Sequence, residues 1–324
     1  MGKMENAVLF SLSASKQLSE KIAKKLGKKL GDITIKHFAD GEIIVELEES
    51  VRHKDVYLIQ STSNPVSNNL MELLIAIDAC KRASAETINV IVPYFGYARQ
   101  DRKARPRQPI TAGLVANLIE AAGATSVTTV QIHSRQTIGF FDIPADDLEV
   151  IGILSTYFKR KKLKDLVVVS PDHGGVKRAR DMAEILGCPI AIIDKRRLKA
   201  NEAEAMNLIG NVEEKNVIIV DDMVDTAGTI VSGVKMLKEN GAKDIYVAVG
   251  HPVLSGPAIE RIENADIKKF ICTDTIELPK EKQIDKIEVV TVSKMLADII
   301  EGQIMGNSVN EILLKYRKRD FIEK

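Results

Sequence analysis

Residues 217–229 read Val-Ile-Ile-Val-Asp-Asp-Met-Val-Asp-Thr-Ala-Gly-Thr, and no other stretch limits the fold so tightly. Four apolar β-formers run straight into two adjacent acids. A third acid and a small-residue loop follow, opening an amphipathic stretch with Ile230, Val234 and Leu237 on one side. That order predicts a buried parallel strand ending in a turn at a helix N-terminus, where backbone N–H groups without helical partners face an anion. Asp221 and Asp222 cannot hold a phosphate, because carboxylates only accept hydrogen bonds; they suit sugar hydroxyls or a bridging cation. Asp225 or Thr226 alone could simply cap the helix. The whole thirteen-residue pattern points instead to a phosphorylated sugar.

Strand-like and helix-like runs alternate along the rest of the chain. Strands are predicted at 56–60, 88–94, 126–132, 166–170, 190–194, 216–220, 244–249 and 286–292. Helices are predicted at 69–82, 111–122, 176–186, 229–240 and 293–302, with a helical tail from 307 onward. Alternation of this kind specifies α/β architecture with mainly parallel sheets. A faint repeat runs through it: Thr111, Gly123, Ala124 and His133 recur in register as Thr229, Gly241, Ala242 and His251, the mark of a duplicated fold. The expected division is 1–149, 150–306 and a tail at 307–324, with no Gly/Ser linker between the halves.

Charge and cysteine usage narrow the partners. The 46 basic and 45 acidic residues leave a net charge of +1, giving no general reason to expect nucleic acid or a membrane surface. No apolar run reaches the ~18 residues of a membrane span, and no N-terminal stretch has signal-peptide length. Cys80, Cys188 and Cys272 lie far apart without metal-ligand spacing, as fillers in a reducing cytoplasm would.

Four further constellations carry chemistry. Arg99, Arg102, Lys103, Arg105 and Arg107 put five cations in nine residues, stiffened by Pro106 and Pro109. Without aromatic interleaving this suits a small polyphosphate better than RNA, although a solvated loop has the same composition. Phe38-Ala-Asp40-Gly41-Glu42, followed by alternating Ile43, Val45 and Leu47, reads on its own as a hairpin turn with Gly41 at positive φ. His133 and Asp172 each follow a strand, where α/β sheets keep their ligands; a lone His there is more often a core or capping residue. Asp194-Lys195-Arg196-Arg197 opens a polar segment, 199–211, readable as a cation-bearing lid or as a solvated loop.

The stretches FADGE (38–42), NLMELL (69–74), PYFGYARQDRK (93–103), GFFDIP (139–144), SPDHGG (170–175), VDDMVDTAGT (220–229) and SGPAI (255–259) together resemble the ribose-phosphate pyrophosphokinase family. The resemblance runs from about residue 10 to about residue 300. It implies two tandem phosphoribosyltransferase-like domains, and transfer of the diphosphoryl group of Mg-ATP to ribose 5-phosphate in the cytoplasm. It further implies that Phe38, Asp40 and Glu42 reach a neighbouring subunit's adenine, so that the ATP site is shared in a homo-oligomer, usually a hexamer. Arg99, Gln100, Asp101, Lys103 and His133 would meet ATP. Asp221, Asp222, Asp225, Thr226, Ala227, Gly228 and Thr229 would hold ribose 5-phosphate together with Arg197; Lys195 and Arg197 would be catalytic, and His133 and Asp172 would hold Mg2+. Gln131 stands where many relatives carry an acid, and His173 where small residues are usual, so one metal subsite is expected to be weak, with Asp142 and Asp146 as possible outer ligands. Inhibition by ADP at a second phosphate site is left open by Arg135 and Ile138. The rival readings are a phosphoribosyltransferase that consumes the diphosphate and a non-catalytic regulatory homologue.

Overall fold

The structure is a computed structural model describing residues 2–196 and 205–317, with backbone alone at 195, 196, 205 and 206. In chain order the strands are β1 (Ala7–Ser11), β2 (Ile33–His37), β3 (Ile43–Leu47), β4 (Asp55–Ile59), β5 (Thr87–Val92), β6 (Ser126–Val130) and β7 (Ala145–Leu148). They continue as β8 (Leu166–Ser170), β9 (Ile190–Arg196), β10 (Ala205–Ile209), β11 (Asn216–Val224), β12 (Ile245–Pro252), β13 (Lys269–Thr273) and β14 (Ile287–Val290). The helices are α1 (Lys3–Asn6), α2 (Lys16–Lys25), α3 (Val66–Arg82), α4 (Thr111–Ala122), α5 (Ile151–Lys161), α6 (Val176–Leu186), α7 (Gly228–Glu239), α8 (Ala258–Asn264), α9 (Ser293–Met305) and α10 (Val309–Arg317).

Two compact units emerge. The first contains residues up to Glu149 together with Thr275–Glu277 and Thr291–Leu313; the second contains Val150–Asp274, Leu278–Val290 and the chain from Leu314. Helix α9, expected with the second half, packs on α1 and α2 and so belongs with the first. Its apolar face, which includes Met295, Leu296, Ile299 and Ile300, is buried. Periodicity reveals that such a face exists but not which surface will cover it.

In the first unit, β1, β4, β5, β6 and β7 form one sheet in that order, every pair parallel. β2 and β3 make a separate antiparallel hairpin, with Gly41 at φ +94° in its turn. That conformation costs glycine nothing and other residues a steric clash. The second unit's sheet runs β10-β9-β8-β11-β12-β13-β14 and is parallel except at β10. Val217, Ile218, Ile219 and Val220 are completely buried, as a parallel strand covered on both faces requires; each such side chain contributes roughly 1.5–3 kcal/mol.

The strand order carries functional information. From β8 the chain steps outward to β9, then returns to place β11 on the other side of β8. That reversal is a topological switch point, and the carboxyl ends of its two strands border the crevice where open α/β sheets bind ligands. The loop after β8 is the SPDHGG stretch; the loop after β11 is Asp225–Ala227.

Candidate active site

Asp221 and Asp222 lie inside β11 and not in the turn after it, because β12 extends to Pro252 and keeps pairing as far as Val224. Neither carboxylate stands solvated. Arg178 reaches across from α6, its Nη1 2.9 Å from Asp221 Oδ1 and its Nη2 3.4 Å from Asp222 Oδ1, and all three side chains are mostly buried. Burial first, and then the neighbouring Asp222 charge, hold the Asp221 carboxyl above the ordinary range; Arg178 offsets only part of this. The result is a desolvated acid pair poised to accept hydrogen bonds, and one cation serves both members. Arg178 was not anticipated from the sequence. The signal was present, since a cation in the first turn of a helix opposes the macrodipole and calls for an acidic partner.

The turn after β11 leads directly into a helix N-terminus. Helix α7 begins at Gly228 without a side-chain cap; its N-cap is Ala227, in the left-handed region at φ 60°. The N-cap position thus falls on an alanine and not on Asp225 or Thr226. No acid occupies its first turn, so no side-chain charge there offsets the positive end of the helix dipole. A left-handed alanine costs about 1–3 kcal/mol, strain of the kind that surrounding structure retains at ligand sites. Thr226 and Thr229 are exposed, while Asp225 and Gly228 are half-buried.

On the β8 side, Asp172 is exposed and its Oδ1 accepts the Gly175 N–H at 2.9 Å. His173 bonds Asp194 Oδ1 through Nε2 at 2.7 Å. Asp194 is buried and immediately precedes Lys195, so the base of the expected lid is pinned to the SPDHGG loop. The unusual histidine thereby acquires a partner. The backbone of Lys195 pairs with Met206 in the β9–β10 ladder. Arg197 and the first part of the expected lid lie outside the described residues.

The first unit presents the remaining candidates. Arg99, Gln100, Arg102, Lys103, Arg105 and Arg107 are exposed after β5, and Asp101 is half-buried. Gln100 ties this loop to α4: its carbonyl accepts the Ala112 N–H at 3.2 Å, and its side chain meets the Thr111 hydroxyl. Phe38, at the hairpin tip, is 53% exposed, and the turn closes through the Phe38 N–H on the Glu42 carbonyl and the Glu42 N–H on Asp40 Oδ1. His133 is exposed beyond β6, whereas its repeat counterpart His251 is buried within β12; the repeat preserves the scaffold but not the histidine's role. His133 and Asp172 belong to different units. Among the described residues no group of three or more His, Cys, Asp or Glu converges. Arg135 pairs with Glu149 at 2.9 Å.

Beside His133 is an acid that the sequence did not single out. Asp147 Oδ1 accepts the Ile132 N–H at 2.8 Å and the Thr129 hydroxyl at 3.1 Å, and burial pushes its carboxyl up to about 6. A carboxyl whose pKa is raised on folding costs nothing below its unfolded value near 3.8, and the full difference above about 6. Two pH units at 1.36 kcal/mol each make that about 3 kcal/mol. Asp147→Asn keeps the acceptor oxygen and removes the charge. Urea unfolding should find this variant gaining about 3 kcal/mol over the parent between pH 4 and pH 8; a pH-independent gap between the two would contradict the argument.

Comparison with known proteins places this geometry. A family model described as the N-terminal domain of ribose phosphate pyrophosphokinase matches residues 7–123, and one described as a phosphoribosyl synthetase-associated domain matches residues 195–313. The chain is 57% identical over 295 residues to ribose-phosphate pyrophosphokinase of Bacillus cereus, covering 91% of this chain and 93% of that protein. It is 59% identical over 293 residues to ribose-phosphate pyrophosphokinase 1 of Listeria innocua, covering 90% and 92%. The crystal structure of phosphoribosylpyrophosphate synthetase from Mycobacterium smegmatis superposes with a TM-score of 0.89 at 39% identity, covering 93% of this chain and 100% of that one.

Proposed function

The chain belongs to the ribose-phosphate pyrophosphokinase family, and we propose how its residues divide the family's reaction among themselves. It is an enzyme of nucleotide biosynthesis that moves the diphosphoryl group of ATP to the C1 hydroxyl of ribose 5-phosphate, giving 5-phosphoribosyl 1-diphosphate and AMP. In our reading the sugar's 5-phosphate rests on the amides of the Asp225–Thr229 turn, and its 2- and 3-hydroxyls donate to Asp221 and Asp222. The observation that carries this is the β8–β11 switch point, with a carboxylate pair on the strand and an uncapped helix N-terminus one turn beyond it. Hydroxyl donors suit that pair, since they supply hydrogen bonds to desolvated carboxylates without requiring another buried cation.

ATP would be met by Arg99, Gln100, Asp101, Lys103 and His133, and by Phe38, Asp40 and Glu42 of a neighbouring subunit. The exposed aromatic at the hairpin tip supports this sharing, and with it a homo-oligomer, for which we take the hexamer. Lys195 and Arg197 would place positive charge on the transferring group. Such transfers need positioning and charge neutralisation more than covalent help.

The candidate metal donors, Asp172 and His133, lie in separate units. Asp172 offers an exposed carboxylate with one oxygen engaged by a backbone amide, and His133 an exposed imidazole. Each is by itself too sparse for a structural cage but would suit Mg2+, which takes few protein ligands and keeps its waters. When bound, Mg2+ would neutralise charge on those oxygens. Gln131 adds no charge beside His133, consistent with a weakened outer subsite. No described helix is long and apolar enough to cross a membrane; the cytoplasmic location is part of this proposal.

Purified chain supplied with ATP, Mg2+ and ribose 5-phosphate, and with no nucleobase, should form AMP and 5-phosphoribosyl 1-diphosphate stoichiometrically. No AMP from these substrates, but base-dependent release of diphosphate when 5-phosphoribosyl 1-diphosphate itself is supplied, would favour the phosphoribosyltransferase reading, and no turnover in either assay would favour the regulatory homologue.

A further inference from the structure

The segment that follows β12, containing SGPAI, was singled out by its sequence and has had no role so far. It holds three consecutive carbonyls, the last of β11 and the first two of the sugar-phosphate turn. The Leu254 N–H donates to the Val224 carbonyl at 3.0 Å and the Ser255 N–H to the Asp225 carbonyl at 2.9 Å. Arg261, on α8, donates from Nη1 to the Thr226 carbonyl at 2.8 Å. The first two bonds prolong the β11–β12 ladder past its last paired residues. The third is different in kind, being a charged side chain on a single main-chain oxygen.

That oxygen is well placed to matter. The Thr226–Ala227 peptide is not among the cis bonds, and in a planar trans peptide the C=O and N–H point in opposite directions. Securing the Thr226 carbonyl toward α8 therefore turns the Ala227 N–H away from α8. Ala227 is the left-handed N-cap of α7, a conformation that local sequence does not favour. With the carbonyl released, the peptide could rotate and its amide would leave the set that faces the phosphate.

We propose that Arg261 is a positioning residue for ribose 5-phosphate: through the Thr226 carbonyl it orients the amides of the phosphate turn without touching substrate. The inference rests on placing the sugar phosphate at Asp225–Thr229. It separates Arg261 from the chemistry, which occurs at the far end of the sugar, and so predicts a selective effect.

The test uses the full-length enzyme with Arg261→Met, which keeps the stem and removes the donors, and Arg261→Lys, which keeps one donor. A charge-assisted hydrogen bond of this kind leads us to expect that Arg261→Met raises KM for ribose 5-phosphate about tenfold, with KM for ATP and kcat within about twofold of the parent. Arg261→Lys should recover a substantial part of that loss. Unchanged KM for ribose 5-phosphate, or an equal rise in both KM values, overturns the proposal. Amide hydrogen exchange at 226–229 in the parent enzyme, with and without ribose 5-phosphate, distinguishes the two ways of failing. Slowed exchange alongside a silent Arg261→Met removes only the role of Arg261. No slowing in the parent removes the phosphate placement and this inference with it.

Discussion

Lys195→Ala is expected to cut turnover by at least about a hundredfold while leaving KM for both substrates nearly unchanged. A donor aimed at charge that develops only in the transition state contributes about 10²–10³ in rate and little to ground-state binding. The backbone at this position makes the substitution clean. Lys195 pairs with Met206 in a β ladder that alanine can maintain, and the preceding Asp194 is held by His173 independently of the lysine. A loss of turnover would therefore not arise from a displaced strand. Steady-state kinetics at saturating ATP and ribose 5-phosphate, with the unfolding midpoint as control, reads the outcome. Near-normal turnover removes Lys195 from the mechanism.

Arg178→Met should carry the largest stability cost at this site. It leaves two adjacent, mostly buried carboxylates without their shared cation, and breaking a buried pair from one side costs about 3–5 kcal/mol. Proton uptake limits that cost. The Asp221 carboxyl is already raised by burial and by Asp222, and loss of the guanidinium raises it further. In the variant the pair is then neutralised more readily as pH falls, and the penalty shrinks. The difference in unfolding free energy between parent and variant should accordingly be larger at pH 8 than at pH 5. Asp221→Asn in the Arg178→Met background should recover much of the stability and, in the proposed placement of the sugar, none of the ribose 5-phosphate affinity, because the amide removes the repulsion and also one of the acceptor oxygens offered to the hydroxyl. Equal stability of Arg178→Met and parent across this range would show that the guanidinium does not hold the pair.

Local chemistry made much of the fold legible. Helices α4 and α6 have the bounds that periodicity predicts, and β8 likewise runs Leu166–Ser170. The FADGE turn is the hairpin expected of its residues, with Gly41 at positive φ. Helix α5, β1 and β13 escaped the reading. Short apolar runs such as Val8–Phe10 and Phe270–Cys272 lack a period long enough to declare them.

What the sequence determined by itself, then, is the α/β class, the strand–acid–loop–helix order at 217–229 and the basic loop after β5. These depend on neighbours a few residues apart, whose side-chain period and turn propensity act within one element. The tertiary structure decided the rest. β11 carries its acids inside the sheet because β12 is long enough to pair with them. Arg178 meets those acids because strand order sets β8, and hence α6, beside β11. Ala227 caps α7 in a strained conformation while donors from 254–261 hold the turn. Helix α9 joins the first unit because α2 offers the surface that covers it. Each of these contacts joins residues tens to hundreds of positions apart, and composition or periodicity cannot specify a partner at that separation.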